Sequence, residues 1–320
     1  MEINERNIKL WSSIGPRATL GLAVNELAKV HDDLVVLTCD VSTSAGLDRF
    51  KKTHPEKYFD VGIAEQNLIG IAAGFASENF NVLTTTFAPF QVTRCCEQIK
   101  VNLGYMKHKI TMIGIASGLI LGNLGYTHCC IEDVGVLRSI PNLTIISPAD
   151  SLEVVKTLQS VLVSKTNSVY IRLTGGASNP IVYNSDYKFE IGKSIKLTDG
   201  DDITIFSCGT MVHNAIEASK MLKEKNIRAK VVNMHTIKPI DKRAIEESLS
   251  SKLLVSIEEH NVIGGLGSAI SECLSGFANT PRLLSLGIRD EYSKGGEYKY
   301  LLARYKLDVD SITNEILKKL

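Results

Sequence analysis

Short runs of β-branched and apolar residues alternate along this chain with stretches of helical periodicity. The runs LVVLTC, NVLTTT and KITMIGIA begin at Leu34, Asn81 and Lys109; a helical pattern over residues 17–30 precedes the first, and another over residues 89–103 follows the second. Parallel strands need a long crossover between them, usually a helix, so this alternation is typical of a doubly wound parallel sheet. We therefore predict an α/β fold.

The pattern is interrupted once, near the middle of the chain. Residues 175–184 are rich in Gly, Ser, Asn and Pro, the composition of a linker. At 320 residues the chain is also too long for one average domain. We predict a larger α/β domain over residues 1–183 and a smaller α/β domain over residues 184–320. The strands predicted for the smaller domain are 203–207, 229–233, 253–257 and 283–286.

Charge and composition exclude several classes of protein. A net charge of +1 gives no electrostatic reason to expect a nucleic acid or an anionic membrane as partner. The longest apolar runs, such as 68–76, are too short to span a bilayer. The polar N-terminal segment resembles neither a signal nor a transit peptide. The seven cysteines include no CxxC pair, so we expect reduced thiols, no zinc site and a cytoplasmic location.

The segment from Asp60 to the helix after it contains one acid in an unusual setting. Asp60 and Gly62 favour a turn, and from Ala64 onward the apolar residues recur at helical spacing. Glu65 therefore lies in the first turn of a helix that is almost wholly apolar and predicted to be buried. Two interpretations stay open. Glu65 caps the helix or complements its dipole, or it is a carboxyl held in an apolar pocket to exchange a proton.

Residues 60–67, Asp-Val-Gly-Ile-Ala-Glu-Gln-Asn, resemble the pyrimidine-binding domain of the transketolase family. The similarity extends over nearly the whole chain. It is closest to the C-terminal half of a transketolase that is made as two polypeptides. The resemblance implies a doubly wound pyrimidine-binding domain followed by a smaller C-terminal domain, which in the family supports dimerisation and lies away from the chemistry.

The family uses thiamine diphosphate, and the resemblance assigns residues to it. Glu65 matches the glutamate that hydrogen-bonds a ring nitrogen of the aminopyrimidine and favours the tautomer that removes the thiazolium proton. Phe87 and Phe90 match aromatic residues that pack on this ring, and Asp40 matches an aspartate near the cofactor. A core position for the two phenylalanines and a loop cap for Asp40 are the alternatives. A third aromatic position is Thr93, so the pocket is not identical to that of conventional transketolases.

The other half of the family's cofactor site is missing. The diphosphate and Mg²⁺ are held in the family by Gly-Asp-Gly and a downstream asparagine. This chain has only Asp199-Gly200-Asp201-Asp202, in the wrong order and just before a predicted strand, which we interpret as a turn. We therefore expect no metal ligands here, and an N-terminal partner subunit that carries the diphosphate domain and its Mg²⁺, in a heterotetramer.

The resemblance also assigns substrate residues. Arg17 and Ser44 match phosphate-binding positions of the family, with the intervening length preserved. His128 matches a histidine that hydrogen-bonds substrate oxygens near the reacting carbon, although a lone histidine can equally be structural. Arg172 lies one residue away from another expected phosphate-binding arginine.

Two departures from the family affect the sugar site. Leu124 replaces an aspartate that binds a sugar hydroxyl, and Ala116 replaces a phosphate-binding histidine. Leucine accepts no hydrogen bond, and a buried hydroxyl left unpaired costs about 1–3 kcal/mol. We predict that ordinary pentose phosphates are poor substrates and that a deoxygenated or otherwise modified sugar, including a nucleotide-linked one, fits better.

The leading function is the transfer of a two-carbon ketol unit between sugars, with Glu65 and His128 as catalytic residues. One alternative is a decarboxylating ligase similar to deoxyxylulose-phosphate synthase, with pyruvate as donor. Another is the β subunit of a 2-oxo-acid dehydrogenase, against which the sequence Thr127-His128 argues. A third is a non-catalytic scaffold for the partner, against which Glu65, Phe87 and Phe90 argue.

Overall fold

The computed structural model describes residues 1–164, 167–292 and 294–320. The described chain forms a seven-stranded sheet and a five-stranded sheet, with helices in the connections between strands. On the first sheet, side chains of one strand alternate between two separate apolar cores: Val35 and Leu37 enter one, Leu34 and Val36 the other. Both faces of this sheet are therefore buried, as a doubly wound parallel sheet requires. The predicted α/β fold class is confirmed.

The larger unit begins with a long helix and contains six strands. Its elements are α1 Glu5–Leu27, β1 Leu34–Thr38, α2 Asp48–Thr53, β2 Tyr58–Asp60, α3 Glu65–Ser77, β3 Asn81–Phe87, α4 Ala88–Val92, α5 Cys96–Gln98, β4 Ile110–Ile115, α6 Asp133–Arg138, β5 Leu143–Ile146, α7 Ser151–Val163 and β6 Ser168–Arg172.

The smaller unit follows the predicted linker. Its elements are β7 Ile195–Lys196, β8 Ile203–Ser207, α8 Met211–Glu224, β9 Ala229–Asn233, β10 Thr236–Lys238, α9 Lys242–Glu246, β11 Leu253–Asn261, α10 Leu266–Leu274, β12 Arg282–Ile288, α11 Tyr298–Arg304 and α12 Val309–Leu317.

The strand order shows how the two units are joined. The larger sheet has the order β10-β5-β6-β4-β3-β1-β2, and the smaller has the order β12-β11-β8-β9-β7. Both sheets are parallel except for β10, which pairs antiparallel with β5, and β7, which pairs antiparallel with β9. Strand β10 lies beyond the proposed boundary at 183 and 184, yet it completes the sheet of the larger unit. The sequence predicted neither β7 nor β10, because runs of two or three residues carry no readable alternation.

The first helix is longer than its sequence pattern indicates. The sequence predicts a helix from Arg17 to Val30, whereas α1 starts at Glu5, where the Asn4 side chain accepts a hydrogen bond from the backbone of Asn7. Gly15, at φ +77°, interrupts the helical backbone just before Pro16. A Cβ at Gly15 would clash with the carbonyl oxygen of Gly176, so this kink is tied to the linker.

The single helix predicted from Pro89 to Leu103 is wrong. Helix α4 ends at Val92, α5 is one turn, and residues 99–105 form a wide π-helical stretch. At the break, the Thr93 hydroxyl donates to the Pro89 carbonyl and the Cys95 thiol donates to the Phe90 carbonyl. Such side-chain bonds compete with the regular helical ladder.

Helix α3 is buried on one face only, contrary to the sequence prediction. Leu68, Ile69 and Ala72 are fully buried against the sheet. Gly70 and Gly74 lie on the opposite, exposed side, where an added Cβ would meet nothing within 4 Å. Among the described residues, no helix has both the length and the apolar character that crossing a membrane requires.

Candidate active site

The carboxyl ends of parallel strands β1 to β4 meet at one edge of the larger sheet, the usual ligand position in such folds. Asp40 follows β1 and Ala116 follows β4, and they have φ values of +53° and +54°. Residues other than glycine adopt this left-handed conformation at a cost of about 1–3 kcal/mol, and they cluster at functional sites. The left-handed conformations of Asp40 and Ala116 therefore indicate a functional site at this edge of the sheet.

Glu65 begins α3 at this edge and is only 4% exposed. Its Oε2 accepts a hydrogen bond of 2.6 Å from Nη1 of Arg94, which is 42% exposed. Within the described residues, Oε1 makes no hydrogen bond, and neither oxygen binds a backbone N–H. The helix-capping interpretation of Glu65 therefore has no support in this geometry, and a buried carboxylate retains an unused acceptor oxygen.

Three rings form one cluster, which Arg94 connects to Glu65. Phe90 and His128 have ring centroids 5.5 Å apart, and Phe87 lies 6.3 Å from each of them. The Arg94 guanidinium carbon lies 4.1 Å from the Phe90 centroid, so Arg94 bridges the carboxylate and the aromatic rings. The structure thus brings together four residues that the sequence proposed for the site.

The turn before α3 is organised by Asp60. Its Oδ1 accepts from the backbone N–H groups of Asp40 and Gly62, and its Oδ2 accepts from the hydroxyls of Thr38 and Tyr58. Partial burial raises the pKa of Asp60, but these four hydrogen bonds outweigh it, so the pKa lies below its ordinary value. Asp60 therefore holds Asp40 and the start of α3 in a fixed relation. The Asp40 side chain itself is exposed.

The pKa values of two buried thiols near Glu65 indicate that its surroundings are apolar. Burial raises the pKa of Cys39 to about 11, with Glu65 a smaller contributor. Burial raises the pKa of Cys95 to about 12, and the nearby Glu65 carboxylate raises it further. Both thiols stay neutral at physiological pH and act as small apolar groups.

His128 lies on a glycine-rich loop, residues 117–130, which we call the His128 loop. The loop is closed at its base by two backbone hydrogen bonds of 2.8 and 3.0 Å between Gly118 and Cys130. The Nδ1 of His128 lies 3.0 Å from the Thr127 hydroxyl, which leaves Nε2 for another partner. Leu124 is on the same loop and is 54% exposed.

Arg17 and Ser44 come together at the loop that follows β1. Nη1 of Arg17 donates to the backbone carbonyl of Ser44 at 3.4 Å. Burial lowers the pKa of Arg17 from its ordinary value. Among the described residues, the structure shows no hydrogen bond or ion pair that joins this pair to the cluster around Glu65; the connection runs through the loop that begins at Asp40.

Arg172 is not part of the candidate site. It is 2% exposed, its Nε pairs with both carboxylate oxygens of Asp133 at 2.9 Å, and its Nη2 donates to the carbonyls of Cys130 and Glu259. Successive side chains of a strand point to opposite faces, so an offset of one residue in β6 turns the side chain away from the expected position. The structure gives Arg172 a role inside the protein, and we remove it from the proposed substrate residues.

The sequence reasoning missed Arg94 and the role of Asp60. Arg94 follows Phe90 by four residues in the predicted helix, and this spacing, which places two side chains on one helix face, was the available signal. Asp60 was assigned only a turn propensity, although its side chain holds that turn in place through four hydrogen bonds.

The geometry suits a flat, polar heterocycle. A buried carboxylate with an unused acceptor oxygen is connected through Arg94 to two phenylalanine rings, and this set of groups fits the aminopyrimidine of thiamine diphosphate. In the parts of the chain that the structure describes, no group of three or more His, Cys, Asp or Glu side chains could hold a metal ion.

Comparison with known proteins gives matches over almost the whole chain. Residues 12–179 match the family model of the transketolase pyrimidine-binding domain, and residues 192–312 match that of the transketolase C-terminal domain. The chain is 38% identical over 295 residues to a subunit of the apulose-4-phosphate transketolase of Phocaeicola vulgatus, covering 92% of this chain and 93% of that protein. It is 35% identical over 288 residues to a subunit of the 6-deoxy-6-sulfo-D-fructose transketolase of a Clostridium species, covering 90% and 88%.

A solved structure is similar over the same extent. It is described as a split gene transketolase in an inactive β4 tetramer. It superposes with a TM-score of 0.86 at 34% identity, covering 96% of this chain and 98% of that one. The two family models end and begin on either side of the boundary proposed at 183 and 184, which stays a proposal.

Proposed function

The chain belongs to the transketolase family, and on that premise we propose that it is the C-terminal subunit of an enzyme that transfers a two-carbon ketol unit between sugars. The observation that carries the proposal is the position of Glu65. It is a buried carboxylate at the start of α3, with an unused oxygen, and Arg94 joins it to the cluster of Phe87, Phe90 and His128.

Each residue has a distinct task in this proposal. Bound thiamine diphosphate would supply the carbon nucleophile that takes up the two-carbon unit. Glu65 would hydrogen-bond a nitrogen of the aminopyrimidine through Oε1 and hold the proton that this nitrogen needs. Phe87 and Phe90 would orient the ring and exclude water, with Asp40 at the rim. His128 would direct Nε2 at a substrate oxygen, because Nδ1 already faces Thr127.

We further propose a partner subunit that holds the diphosphate and Mg²⁺, in a heterotetramer in the cytoplasm. Two observations support the partner subunit. The relatives named above are transketolase subunits, and the split-gene relative is described as inactive when it forms a β4 tetramer. In addition, the carboxylates of Asp199, Asp201 and Asp202 pair with Lys196, Arg228 and Lys252 at the surface. These pairs support the interpretation of that segment as a turn.

For the substrate, we propose a modified sugar or sugar phosphate. Two relatives carry names of modified substrates, an apulose phosphate and a deoxysulfosugar. Leu124, on the His128 loop, offers no hydrogen bond where the family has an aspartate. Arg17 and Ser44, which meet at the loop after β1, would bind a terminal anionic group.

The central experiment is reconstitution with the partner subunit, followed by the E65Q substitution. Positioned acid–base groups contribute about 10²–10⁴-fold to rate, so we expect E65Q to lower kcat at least 100-fold. Glu78, exposed at the end of the same helix, provides the control, and E78Q is expected to match the wild type. Near-normal turnover by E65Q would overturn the proposal and favour a scaffold. Tight cofactor binding by this chain alone would overturn the partner requirement.

A donor panel tests substrate choice. We expect the reconstituted pair to turn over a deoxygenated or sulfonated ketose faster than xylulose 5-phosphate, because Leu124 cannot accept a hydrogen bond from the hydroxyl that such a donor lacks. Initial rates for each donor with a common acceptor are the measurement. Xylulose 5-phosphate turned over at the rate of a conventional transketolase would contradict this choice. Carbon dioxide released from pyruvate would favour the decarboxylating alternative.

A further inference from the structure

The His128 loop leaves the larger sheet after β4 and is closed at its base by the pair of backbone hydrogen bonds between Gly118 and Cys130. Inside the loop, a short 3₁₀ turn forms at Gly122–Leu124, and the Gly125 carbonyl accepts from the backbone N–H groups of His128 and Cys129 at 3.1 and 3.2 Å. These bonds hold the local shape of the loop. Its position relative to the sheet also depends on contacts that come from outside the loop.

The base of the loop is held by a carboxylate of the C-terminal unit. Glu259, on β11, is 2% exposed, and its Oε1 accepts a hydrogen bond of 2.6 Å from the backbone N–H of Leu119. Gly118 has φ +77°, and a Cβ there would clash with this carboxylate. Only a glycine allows the loop to approach Glu259 this closely.

The Glu259 carboxylate also binds the segment that packs on the loop. This segment comprises Tyr292, Gly296 and helix α11, and we call it the covering segment. Oε2 of Glu259 accepts from the hydroxyls of Thr210, at 3.1 Å, and Tyr298, at 2.7 Å. Tyr298 is the first residue of α11, and Leu301 of this helix lies where a Cβ on Gly122 would be.

Two further contacts join the covering segment to the tip of the loop. The backbone N–H of Gly296 donates to the Gly122 carbonyl at 2.9 Å. The Tyr126 ring lies 5.5 Å from the Tyr292 ring. One buried side chain thus fixes both the base of the loop and the segment that packs on its tip.

The neighbouring Arg172 strengthens this arrangement. Its Nη2 donates to the backbone carbonyl of Glu259 on β11 and to that of Cys130 at the base of the loop. Burial raises the pKa of Glu259, and its hydrogen bonds to Leu119, Tyr298 and Thr210, together with the Arg172 charge, oppose that rise. In this buried environment of low dielectric these hydrogen bonds are strong, and the loss of one leaves a buried polar group without a partner.

We propose that Glu259 is a positioning residue for the sugar substrate: it reaches across from the C-terminal unit, fixes the His128 loop and thereby sets where His128 meets the substrate. This inference rests on the proposed function. It gives the C-terminal unit a part in substrate binding, whereas the family resemblance led us to expect that this unit lies away from the chemistry.

Glu258 is a matched control. It is adjacent to Glu259 on β11 and equally buried, and it also accepts backbone hydrogen bonds, from Leu266 and Gly267. Those bonds hold the start of α10 and none reaches the His128 loop. A substitution at Glu258 therefore tests burial of a carboxyl on β11 without touching the loop.

The first measurement needs no activity. In the isolated full chain, amide hydrogen exchange of residues 119–129 is expected to be at least tenfold faster in E259A than in the wild type, with strands β8 and β11 unchanged. E258A is expected to accelerate exchange at Leu266 and Gly267 only. If E259A does not fold, Y298F removes a single hydrogen bond to the same carboxylate and is expected to produce a smaller change in the same amides. E259Q, which keeps an acceptor for Leu119, is expected to restore most of the protection.

The second measurement uses the reconstituted pair. We expect E259A to raise KM for the sugar donor about tenfold, with kcat changed less than threefold and the thiamine diphosphate Kd unchanged, while E258A keeps the wild-type KM. If Glu259 acts through His128, adding E259A to H128A produces no further rise in KM.

The outcomes separate the two proposals. Unchanged loop exchange in E259A, an unchanged KM in an active pair, or additive effects of E259A and H128A would overturn the role of Glu259. A wild-type pair that turns over no sugar would overturn the proposed function, and the exchange data would still report whether Glu259 anchors the loop.

Discussion

At the scale of single residues, the ion pair between Glu65 and Arg94 joins a buried side chain to a partly exposed one. The carboxylate is buried, whereas much of the guanidinium is exposed and lies over the Phe90 ring. Arginine suits this position because its planar group pairs with a carboxylate and stacks on an aromatic face at the same time. Arg94 therefore satisfies one oxygen of Glu65 and leaves the other for a ligand.

Removing Arg94 should affect stability through Glu65. In R94M, the buried Oε2 loses its donor, and because the pair is partly screened by solvent we expect the free energy of unfolding to fall by only about 1 kcal/mol. Urea denaturation of the isolated chain at about pH 7.5 measures it. In the E65Q background the same substitution should cost less, because no buried charge is left unpaired.

The exposed pair between Lys9 and Glu5 is the control for this measurement. Both side chains are well exposed, so K9M should leave the urea midpoint unchanged. An R94M chain as stable as the wild type would mean that solvent, rather than Arg94, satisfies Glu65.

At the scale of elements, the glycine cluster before α10 shows how the free backbone N–H groups at the start of a helix can be hydrogen-bonded by a side chain of the same protein. A glycine-rich segment that opens a helix, such as Gly264 to Gly267, can form either an anion cradle or a tight turn. In the structure the backbone N–H groups of Leu266 and Gly267 bind the Glu258 carboxylate at 2.6 and 2.8 Å. An internal carboxylate thus occupies the position that an external anion would take, and the turn interpretation accounts for the glycines.

The buried Glu258 carboxyl group predicts that the free energy of unfolding depends on pH. Burial raises the pKa of Glu258 from 4.5 to about 7, against the opposing backbone N–H groups and the Arg172 and Arg138 charges. Between these values the folded chain keeps a proton that the unfolded chain has released. The contribution of Glu258 to the free energy of unfolding therefore falls as pH rises, by up to about 1.4 kcal/mol per pH unit.

E258Q isolates this effect because it cannot titrate. Its free energy of unfolding, relative to that of the wild type, should increase from about pH 5 to about pH 8 in urea titrations. His260 lies 3.9 Å from Glu258, but burial lowers its pKa to about 4, so it is neutral in this window. Parallel pH profiles of the two proteins would show that Glu258 is charged throughout.

At the scale of the whole molecule, the two units share more than a linker. Strand β10 of the smaller unit pairs with β5 of the larger sheet, and Glu259 and Arg172 connect the units in their buried contact. A sheet edge without β10 would expose the hydrogen-bonding groups of β5, a risk for aggregation.

We therefore expect a fragment of residues 1–183 to lack a stable fold of its own. It loses β10 and the carbonyl of Glu259 that Arg172 binds, so it should elute as aggregate or unfold at much lower urea than the intact chain. Size-exclusion chromatography with light scattering and circular dichroism measure this, with the full chain as control. A monomeric fragment with a cooperative transition at the midpoint of the full chain would establish residues 1–183 as an independent domain.

The sequence by itself determined the class of fold, the positions of the longer strands, and Glu65 at the start of an apolar helix. These follow from periodicity and turn chemistry, which act over a few residues. It also selected Phe87, Phe90 and His128, although only through resemblance to a family.

Only the tertiary structure decided that Arg94 reaches Glu65, that Arg172 faces inward, that β10 joins the larger sheet, and that Glu259 holds Leu119, 140 residues away. The physical reason is the same in each case. Such contacts join residues that are distant in sequence, so they depend on how the helices and sheets pack, and local sequence patterns carry no record of that packing.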